Sequence, residues 1–175
     1  AHLGLLGSRS NIASAKCEIT AGLRPNGVVI IPAGDALLEE VLIKKWTGRI
    51  VRVALELNPL CLTNSSCHNK NDFLPKPDLV GKLDSSSTSI CIEGKVFKLP
   101  LEGIHNAQNF LLALAVAREL NVEVDPSQQH HVELPTGRNG RIKLGEITLL
   151  DETYNASPES VKASLGFLVS QPGRH

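Results

Sequence analysis

The chain has 175 residues, 42% hydrophobic and 21% charged, a composition typical of a folded globular domain. Its 18 basic and 18 acidic side chains cancel, so the charge balance gives no sign of a nucleic-acid or membrane-surface partner. No apolar run approaches the ~20 residues needed to span a bilayer, and the cysteines Cys17, Cys61, Cys67 and Cys91 match no zinc-ligand spacing.

The first third of the chain alternates between helical and strand patterns. The β-branched run 28–31 is typical of a strand buried on both faces, as in a parallel sheet. Asp35 is a good candidate cap for the helix that follows. In chain order we predict a helix over Asn11–Leu23 capped by Ser10, a strand over Val28–Ile31, a helix over Ala36–Trp46, and a strand over Arg49–Ala54. This order is typical of an α/β fold with a parallel sheet.

The middle of the chain is less regular. The segment Asn64–Asp84 is rich in polar residues and proline, which favours a loop or a peripheral insertion. Ser89–Lys98 alternates around Glu93-Gly94, a pattern that predicts a β-hairpin. His105–Leu120 carries apolar residues over most of its circumference, so we expect a buried helix there.

The last forty residues predict a hairpin followed by a helix. The strands are expected at Gly140–Leu144 and Ile147–Leu150, with Asp151 at the end of the second. Ser157 and Pro158 have the residue types preferred at the N-cap and the first position of a helix, which we expect to reach about Val169. We place a domain boundary near Leu134–Gly137.

Three places in the chain could carry chemistry. In Gly103-Ile-His-Asn-Ala-Gln-Asn109, two amides three residues apart share one helix face and could either bind the edge of a purine or cap the helix. Asp151-Glu152 follows a strand, where α/β proteins bind ligands, but the pair could equally form a capped loop. His2 and Lys16, each considered alone, are most simply interpreted as surface side chains without a function.

Four motifs taken in order give a more specific interpretation. Ala1-His2-Leu3, Ala15-Lys16-Cys17-Glu18, Gly103-x-His105-Asn106-x-x-Asn109 and Asp151-Glu-Thr-Tyr-Asn-Ala-x-Pro158 resemble the motifs of the Mur ligase family. Each motif is weak alone, whereas four in family order are specific. The resemblance runs from Ala1 to the last residues and is weakest across Asn64–Asp84.

The resemblance implies an α/β fold that covers parts of two domains. Residues 1–134 would be the C-terminal part of the central ATPase domain, with an insertion or loop at about 64–84. Residues 135–175 would begin the Rossmann-like C-terminal domain. The glycine-rich phosphate loop and the UDP-binding domain of the family are not within this sequence, and we expect both ends to be internal positions of a longer protein.

The resemblance also implies roles for single residues, with ATP and Mg²⁺ as cofactors. His2 would bind magnesium, Lys16 would be carbamylated, and Asn106 and Asn109 would contact adenine. At the domain hinge, Arg138 would lie near the nucleotide phosphates, although Arg141 fits the same role with a one-gap shift. Glu152, where the family usually has aspartate, and Tyr154 would complete the ATP site from the C-terminal domain. Pro32-Ala-Gly-Asp35 departs from the usual family loop.

Within the family, the Tyr-Asn-Ala-x-Pro and Ala-Lys-x-Glu runs are most similar to members that join D-alanyl-D-alanine to UDP-N-acetylmuramoyl-tripeptide in peptidoglycan synthesis. We expect a monomer with no nucleic-acid partner and no membrane insertion, in the cytoplasm, or in the plastid stroma of a plant or alga. Two alternatives remain at this point. One is another ligase of the superfamily, such as folylpolyglutamate synthase, and the other is a non-catalytic remnant that lacks the phosphate loop.

Overall fold

The computed structural model describes residues 7–57, 75–128, 133, 135–138, 140–154 and 156–174. The chain divides into two compact units, one within residues 2–130 and the other within residues 131–175. Over the described ranges, no helix has both the length and the apolar character needed to cross a bilayer.

The larger unit combines a mixed sheet with helices. Its elements are α1 (Arg9–Cys17), a 3₁₀ turn (Glu18–Gly22), β1 (Val28–Pro32), α2 (Ala36–Lys45), β2 (Arg49–Leu57), β3 (Leu79–Leu83), β4 (Ser89–Ile92), β5 (Lys95–Lys98) and α3 (Ile104–Glu119). The predicted strand–helix–strand order and the hairpin around Glu93-Gly94 are therefore confirmed.

The five strands lie in the order β1-β2-β3-β4-β5. β1, β2 and β3 are parallel, with Val28 opposite Arg49 and Val53 opposite Leu79, and β3, β4 and β5 are antiparallel. In the described part of the sheet β1 is an edge strand, and of its residues only Ile31 is fully buried. The predicted parallel pairing is correct. Both faces of β1 are covered, as predicted, because Val28 and Ile30 pack against one core cluster and Val29 and Ile31 against a second, although three of the four side chains stay partly exposed.

The prediction of a loop over Asn64–Asp84 is wrong for the residues that form β3. Residues 79–83 form a strand between β2 and β4, and Leu79, Gly81 and Leu83 all face the core. The part of the predicted loop before residue 75 lies outside the described residues. The strand has only two large apolar side chains that face the core, which is too short a pattern to stand out among polar neighbours.

Two helix predictions also need correction. The side chain of Ser8 accepts the N–H of Asn11 at 3.1 Å, so α1 begins at Arg9 and Ser8, not Ser10, is its cap. The helix predicted over His105–Leu120 was expected to be buried over most of its circumference. In α3 the buried positions form only one face, and Val116 on the opposite side is 45% exposed. Asp35 does cap α2 as predicted, by accepting the N–H of Leu38 at 3.1 Å.

The core lies between α3 and the sheet. α3 packs against β1, β2 and β3, and its residues Ala107 and Leu111 are fully buried. Ile90 and Ile92 of β4 join the same cluster. A second cluster of Cys17, Ile31 and Leu42 joins α1 and α2 to the edge of the sheet.

The smaller unit is a hairpin followed by a helix, as predicted. β6 (Gly140–Leu144) pairs antiparallel with β7 (Ile147–Asp151), and α4 spans Pro158–Ser170. A reciprocal capping box starts α4: Ser157 Oγ accepts the N–H of Ser160 at 3.1 Å, and Ser160 Oγ accepts the N–H of Ser157 at 2.8 Å. These two bonds satisfy donors that a helix start otherwise leaves unpaired.

A buried ion pair joins α2 to β2. The guanidinium of Arg52 donates to both carboxylate oxygens of Glu39, at 2.7 and 2.9 Å, and the two side chains are 13% and 7% exposed. The backbone N–H of Arg52 also donates to Asp78 at 2.7 Å. Removal of either charge would leave the other charge unpaired in a poorly solvated site.

We predict that Glu39→Ala lowers the free energy of unfolding by about 3 kcal/mol, because Arg52 loses its buried partner. The measurement is urea unfolding followed by the fluorescence of Trp46, the single tryptophan of the chain, which packs against the second core cluster. Glu40→Ala is the matched control, since Glu40 lies next to Glu39 and its ion pair with Lys44 is exposed. Equal unfolding midpoints for the two variants would contradict the prediction.

Candidate functional site

The first turn of α3 carries two of the predicted site residues. Gly103 is buried, has φ +105°, and occupies the N-cap without a side-chain hydrogen bond. Asn106 is half-buried, and its Nδ2 donates to the carbonyl of Glu102 at 2.7 Å. A carbonyl can only accept, so the nitrogen of Asn106 must face Glu102, and the side-chain oxygen takes no part in this bond.

Asn109 lies one turn further along α3 and is exposed. Because their positions are three residues apart on the helix, Asn106 and Asn109 share a helix face, as the sequence predicts. The bond of Asn106 to Glu102 is not a cap, because an N-cap side chain accepts a backbone N–H whereas Asn106 donates to a carbonyl. Nearby, Gln108 Nε2 is buried with no hydrogen-bond partner among the described residues. No sequence pattern singles out this amide.

Lys16 lies in the last turn of α1 and its side chain is exposed. Lys45 of α2 donates to both the carbonyl and the hydroxyl of Ser14, which ties α2 to the preceding turn of α1. His2 lies outside the described residues, so the structure does not bring it together with Lys16. Over the described ranges no group of three His, Cys, Asp or Glu side chains could hold a metal ion.

Arg138 and Tyr154, two residues predicted for one site, do lie together in the smaller unit. The guanidinium carbon of Arg138 lies 3.9 Å from the centroid of the Tyr154 ring, within cation–π distance. The N–H of Tyr154 donates to the carbonyl of Gly137 at 2.9 Å. Gly137 has φ +82°, and a Cβ there would lie only 2.7 Å from Tyr154 N, so this approach of two turns requires glycine.

Asp151 holds the second of these turns in place. Its Oδ1 accepts the hydroxyl of Thr153 at 2.7 Å and the N–H of Thr153 at 3.1 Å. These bonds, together with the N–H of Gly137, lower the pKa of Asp151 below the usual aspartate value. Asp151, Thr153 and Gly137 thus position Tyr154, although the sequence patterns assigned them no such role. The sequence pattern that could have indicated this role is an aspartate two residues before a threonine, which is typical of a turn closed by a side-chain hydrogen bond.

Glu152 and Arg141 occupy different surroundings. Glu152 is half-buried at the edge of a groove of about 250 Å³ lined by Leu150, Ala156, Ser160, Val161, Ser164, Leu165, Phe167 and Leu168. The guanidinium carbon of Arg141 lies 5.7 Å from the ring centroid of Phe167, and its Nη2 donates to Gln171 at 3.1 Å. Of the two arginines considered for one role, Arg138 is therefore the one that contacts Tyr154.

Comparison with known proteins gives consistent matches. A family model described as the Mur ligase middle domain matches residues 1–117. A UDP-N-acetylmuramoyl-tripeptide--D-alanyl-D-alanine ligase of Synechocystis sp. is 37% identical over 99% of this chain and 34% of its own length. The crystal structure of MurF from Acinetobacter baumannii has a TM-score of 0.75 at 26% identity, over 99% of this chain and 36% of that one.

A MurF ligase structure from Thermotoga maritima in complex with ADP has a TM-score of 0.70 at 21% identity, over 99% of this chain and 38% of that one, which is a similarity of fold. The chain spans about a third of the length of the curated relatives it matches.

We predict that Thr153→Val raises the pKa of Asp151 toward the usual aspartate value, because the strongest donor to the carboxylate is lost. A lowered folded-state pKa means that the turn is fully stabilised above the usual pKa and loses that stabilisation as the pH falls through the lower value. The measurement is a ¹³C NMR titration of the Asp151 carboxyl. Thr148→Val, on the exposed part of β7, is the control and should leave the titration unchanged. An unchanged midpoint in Thr153→Val would show that this hydroxyl does not control Asp151.

Proposed function

Because this chain belongs to the Mur ligase family through its middle domain, we propose that the complete protein is an ATP-dependent ligase that joins D-alanyl-D-alanine to UDP-N-acetylmuramoyl-tripeptide. The observation that carries this proposal is the 37% identity to a ligase of that name over 99% of the chain. The matched length includes both the α3 turn and the Arg138–Tyr154 contact. Because the chain spans about a third of its relatives, the phosphate loop and the UDP-binding domain would come from the rest of the protein.

The first turn of α3 would bind adenine. One N–H of Asn106 is bonded to Glu102, which fixes the amide so that it can offer a base its side-chain oxygen as an acceptor and its second N–H as a donor. An acceptor matches the 6-amino group of adenine and opposes the 6-oxygen of guanine. Asn109 is exposed on the same face and would add a second amide. This arrangement supports ATP over GTP as the nucleotide.

The smaller unit would add residues to the nucleotide site from the C-terminal domain. Arg138 carries a permanent charge on a planar group, which suits a phosphate, and the ring of Tyr154 holds the guanidinium in one orientation. Glu152 follows Asp151 in the same turn and is half-buried. The preorganised turn would lower the entropic cost of bringing these side chains onto the nucleotide.

His2 and Lys16 would hold Mg²⁺, with Lys16 as its carbamate. Lys16 fits this role in one respect: its exposed amine is accessible to carbon dioxide. Carbamylation would convert a cation that repels Mg²⁺ into an oxygen-donor anion, the ligand type that hard metal ions prefer. The bound ion would neutralise charge on the phosphate oxygens during transfer.

The proposed reaction has two steps. A carboxylate oxygen of the tripeptide bonds to the γ-phosphorus of ATP while the bond to the β,γ-bridging oxygen breaks, giving an acyl phosphate and ADP. The amine nitrogen of D-alanyl-D-alanine then attacks the acyl carbon and loses a proton, and the carbon–oxygen bond breaks to release phosphate. Arg138 would stabilise the phosphate charge, while Asn106 and Asn109 would hold the adenine end in position.

The remaining properties follow from this activity. The partners would be the two substrates, with no nucleic acid and no membrane insertion, and the protein would act as a monomer. The ligase would operate where nucleotide-linked peptidoglycan precursors are made, in the bacterial cytoplasm or in a plastid stroma. Its role would be in cell-wall synthesis, and through it in cell shape and division.

We predict that the complete ligase releases phosphate from ATP only when both the UDP-linked tripeptide and D-alanyl-D-alanine are present. The measurement is phosphate release, with mass spectrometry of the pentapeptide product. GTP in place of ATP should give much less product, because it presents the 6-oxygen to Asn106. Phosphate release that does not depend on D-alanyl-D-alanine, or preference for a single amino acid as acceptor, would contradict the proposal.

We predict that Lys16→Ala in the complete ligase abolishes turnover and that a short carboxylic acid partly restores it, because the acid can replace the missing carbamate oxygens. Turnover is measured with and without added acetate. Lys44→Ala, which removes an exposed lysine of α2, is the control and should remain fully active. Full activity of Lys16→Ala without acetate would exclude the carbamate.

A further inference from the structure

The turn between β3 and β4 is organised by one carboxylate. Asp84 Oδ1 accepts the backbone N–H groups of Thr88 and Ser89, at 2.9 and 3.0 Å. Its Oδ2 accepts the hydroxyl of Thr88 at 3.3 Å and the hydroxyl of Ser86. A charged acceptor with four donors is among the stronger ways to fix a loop.

The burial and charge of Asp84 agree with this role. Burial alone would raise the pKa of Asp84, but hydrogen bonds from Ser86, Ser89 and Thr88 outweigh it and lower the pKa below the usual value. The side chain therefore stays a carboxylate, which can only accept, at neutral pH. Inside the turn, Ser87 has φ +56°, a conformation unfavourable for residues other than glycine. The bonds on either side hold Ser87 in it.

This turn is bonded to the segment that leads into α3. The carbonyl of Ser87 accepts the N–H of Gly103 at 3.3 Å, and the carbonyl of Thr88 accepts the N–H of Leu99 at 2.8 Å. Leu99 is buried in the main core, which anchors the segment at its other end. The Ser87–Gly103 bond is notable because Gly103 is the N-cap of α3 and has no side chain with which to fix its own position.

We infer that Asp84 is a positioning residue for the adenine-binding turn of α3. It fixes the carbonyl of Ser87, which holds Gly103, and this bond sets the direction of the Glu102 carbonyl that binds the Asn106 nitrogen. The inference rests on the proposed function, because the adenine contact of Asn106 and Asn109 belongs to that proposal. Core packing of Ala107 and Leu111 fixes the body of α3, whereas the approach of residues 102 and 103 depends on this turn.

The test compares three variants of the complete ligase. Asp84→Ala should raise the KM for ATP about tenfold and leave kcat and the KM for D-alanyl-D-alanine within about twofold, because the adenine end binds equally in ground and transition states. Asp84→Asn should stay close to wild type, since its side-chain oxygen can still accept the N–H groups of Thr88 and Ser89. Asp125→Ala is the matched control: Asp125 accepts the N–H and hydroxyl of Ser127 in a similar turn that lies after α3.

The possible results distinguish failure of the positioning role of Asp84 from failure of the proposed ligase activity. A wild-type enzyme with no ATP-dependent ligation would overturn both. An active wild type with an unchanged KM for ATP in Asp84→Ala, or with kcat and every KM changed together, would overturn the positioning role alone.

A second variant covers the case in which Asp84→Ala does not fold. Ser86→Ala/Thr88→Val keeps the carboxylate and both backbone bonds but removes the hydroxyl donors, so the KM for ATP should rise about two- to fourfold. Hydrogen exchange of the Gly103 amide should accelerate in parallel, and it should not change in Asp125→Ala. Unchanged exchange at Gly103 together with an unchanged KM for ATP would overturn the inference.

Discussion

The burial of one face of α3 against the parallel strands is the constraint on which the larger unit depends. Ala107 and Leu111 have no exposed surface, and a helix with this much apolar contact cannot shift along the sheet without losing it. At its far end, bidentate ion pairs join Arg118 to Glu93 of the hairpin and Glu119 to Arg49 of β2. These exposed pairs add little stability but favour one rotation of the helix. The position of the first turn, with Asn106 and Asn109, follows from this packing.

The smaller unit positions its polar side chains by other means. Leu149, Leu165 and Val169 are largely exposed, so its side chains depend less on a packed core. Contacts between two turns hold these side chains in place instead. Gly137 allows the two turns to approach closely, Asp151 fixes the second turn, and the Tyr154 ring supports the guanidinium of Arg138. This arrangement tolerates few backbone changes, because a Cβ at residue 137 would lie only 2.7 Å from Tyr154 N.

Elements with strong local signals were predictable from sequence. Asp35 and Ser157 cap helices as their residue types and positions indicate, and Glu93-Gly94 forms the expected hairpin turn. β3 was missed because strand pairing on both sides outweighs its weak local pattern. The resemblance named Asn106, Arg138 and Tyr154 as site residues. Their partners depend on the fold: the bond from Asn106 to the Glu102 carbonyl and the approach of Arg138 to the Tyr154 ring leave no trace in residue spacing. The Asp84 turn is of the same kind, since its link to Gly103 spans sixteen residues of sequence.

We propose that the first turn of α3 binds the adenine of ATP through an acceptor whose orientation is set by the fold. A crystal structure of the complete ligase with ADP tests it most directly. We expect the adenine ring to lie against the first turn of α3, with its 6-amino group within hydrogen-bond distance of the Asn106 side-chain oxygen and the Asn106 nitrogen still bonded to Glu102. An adenine ring bound elsewhere, or an Asn106 amide turned so that its nitrogen faces the base, would contradict it.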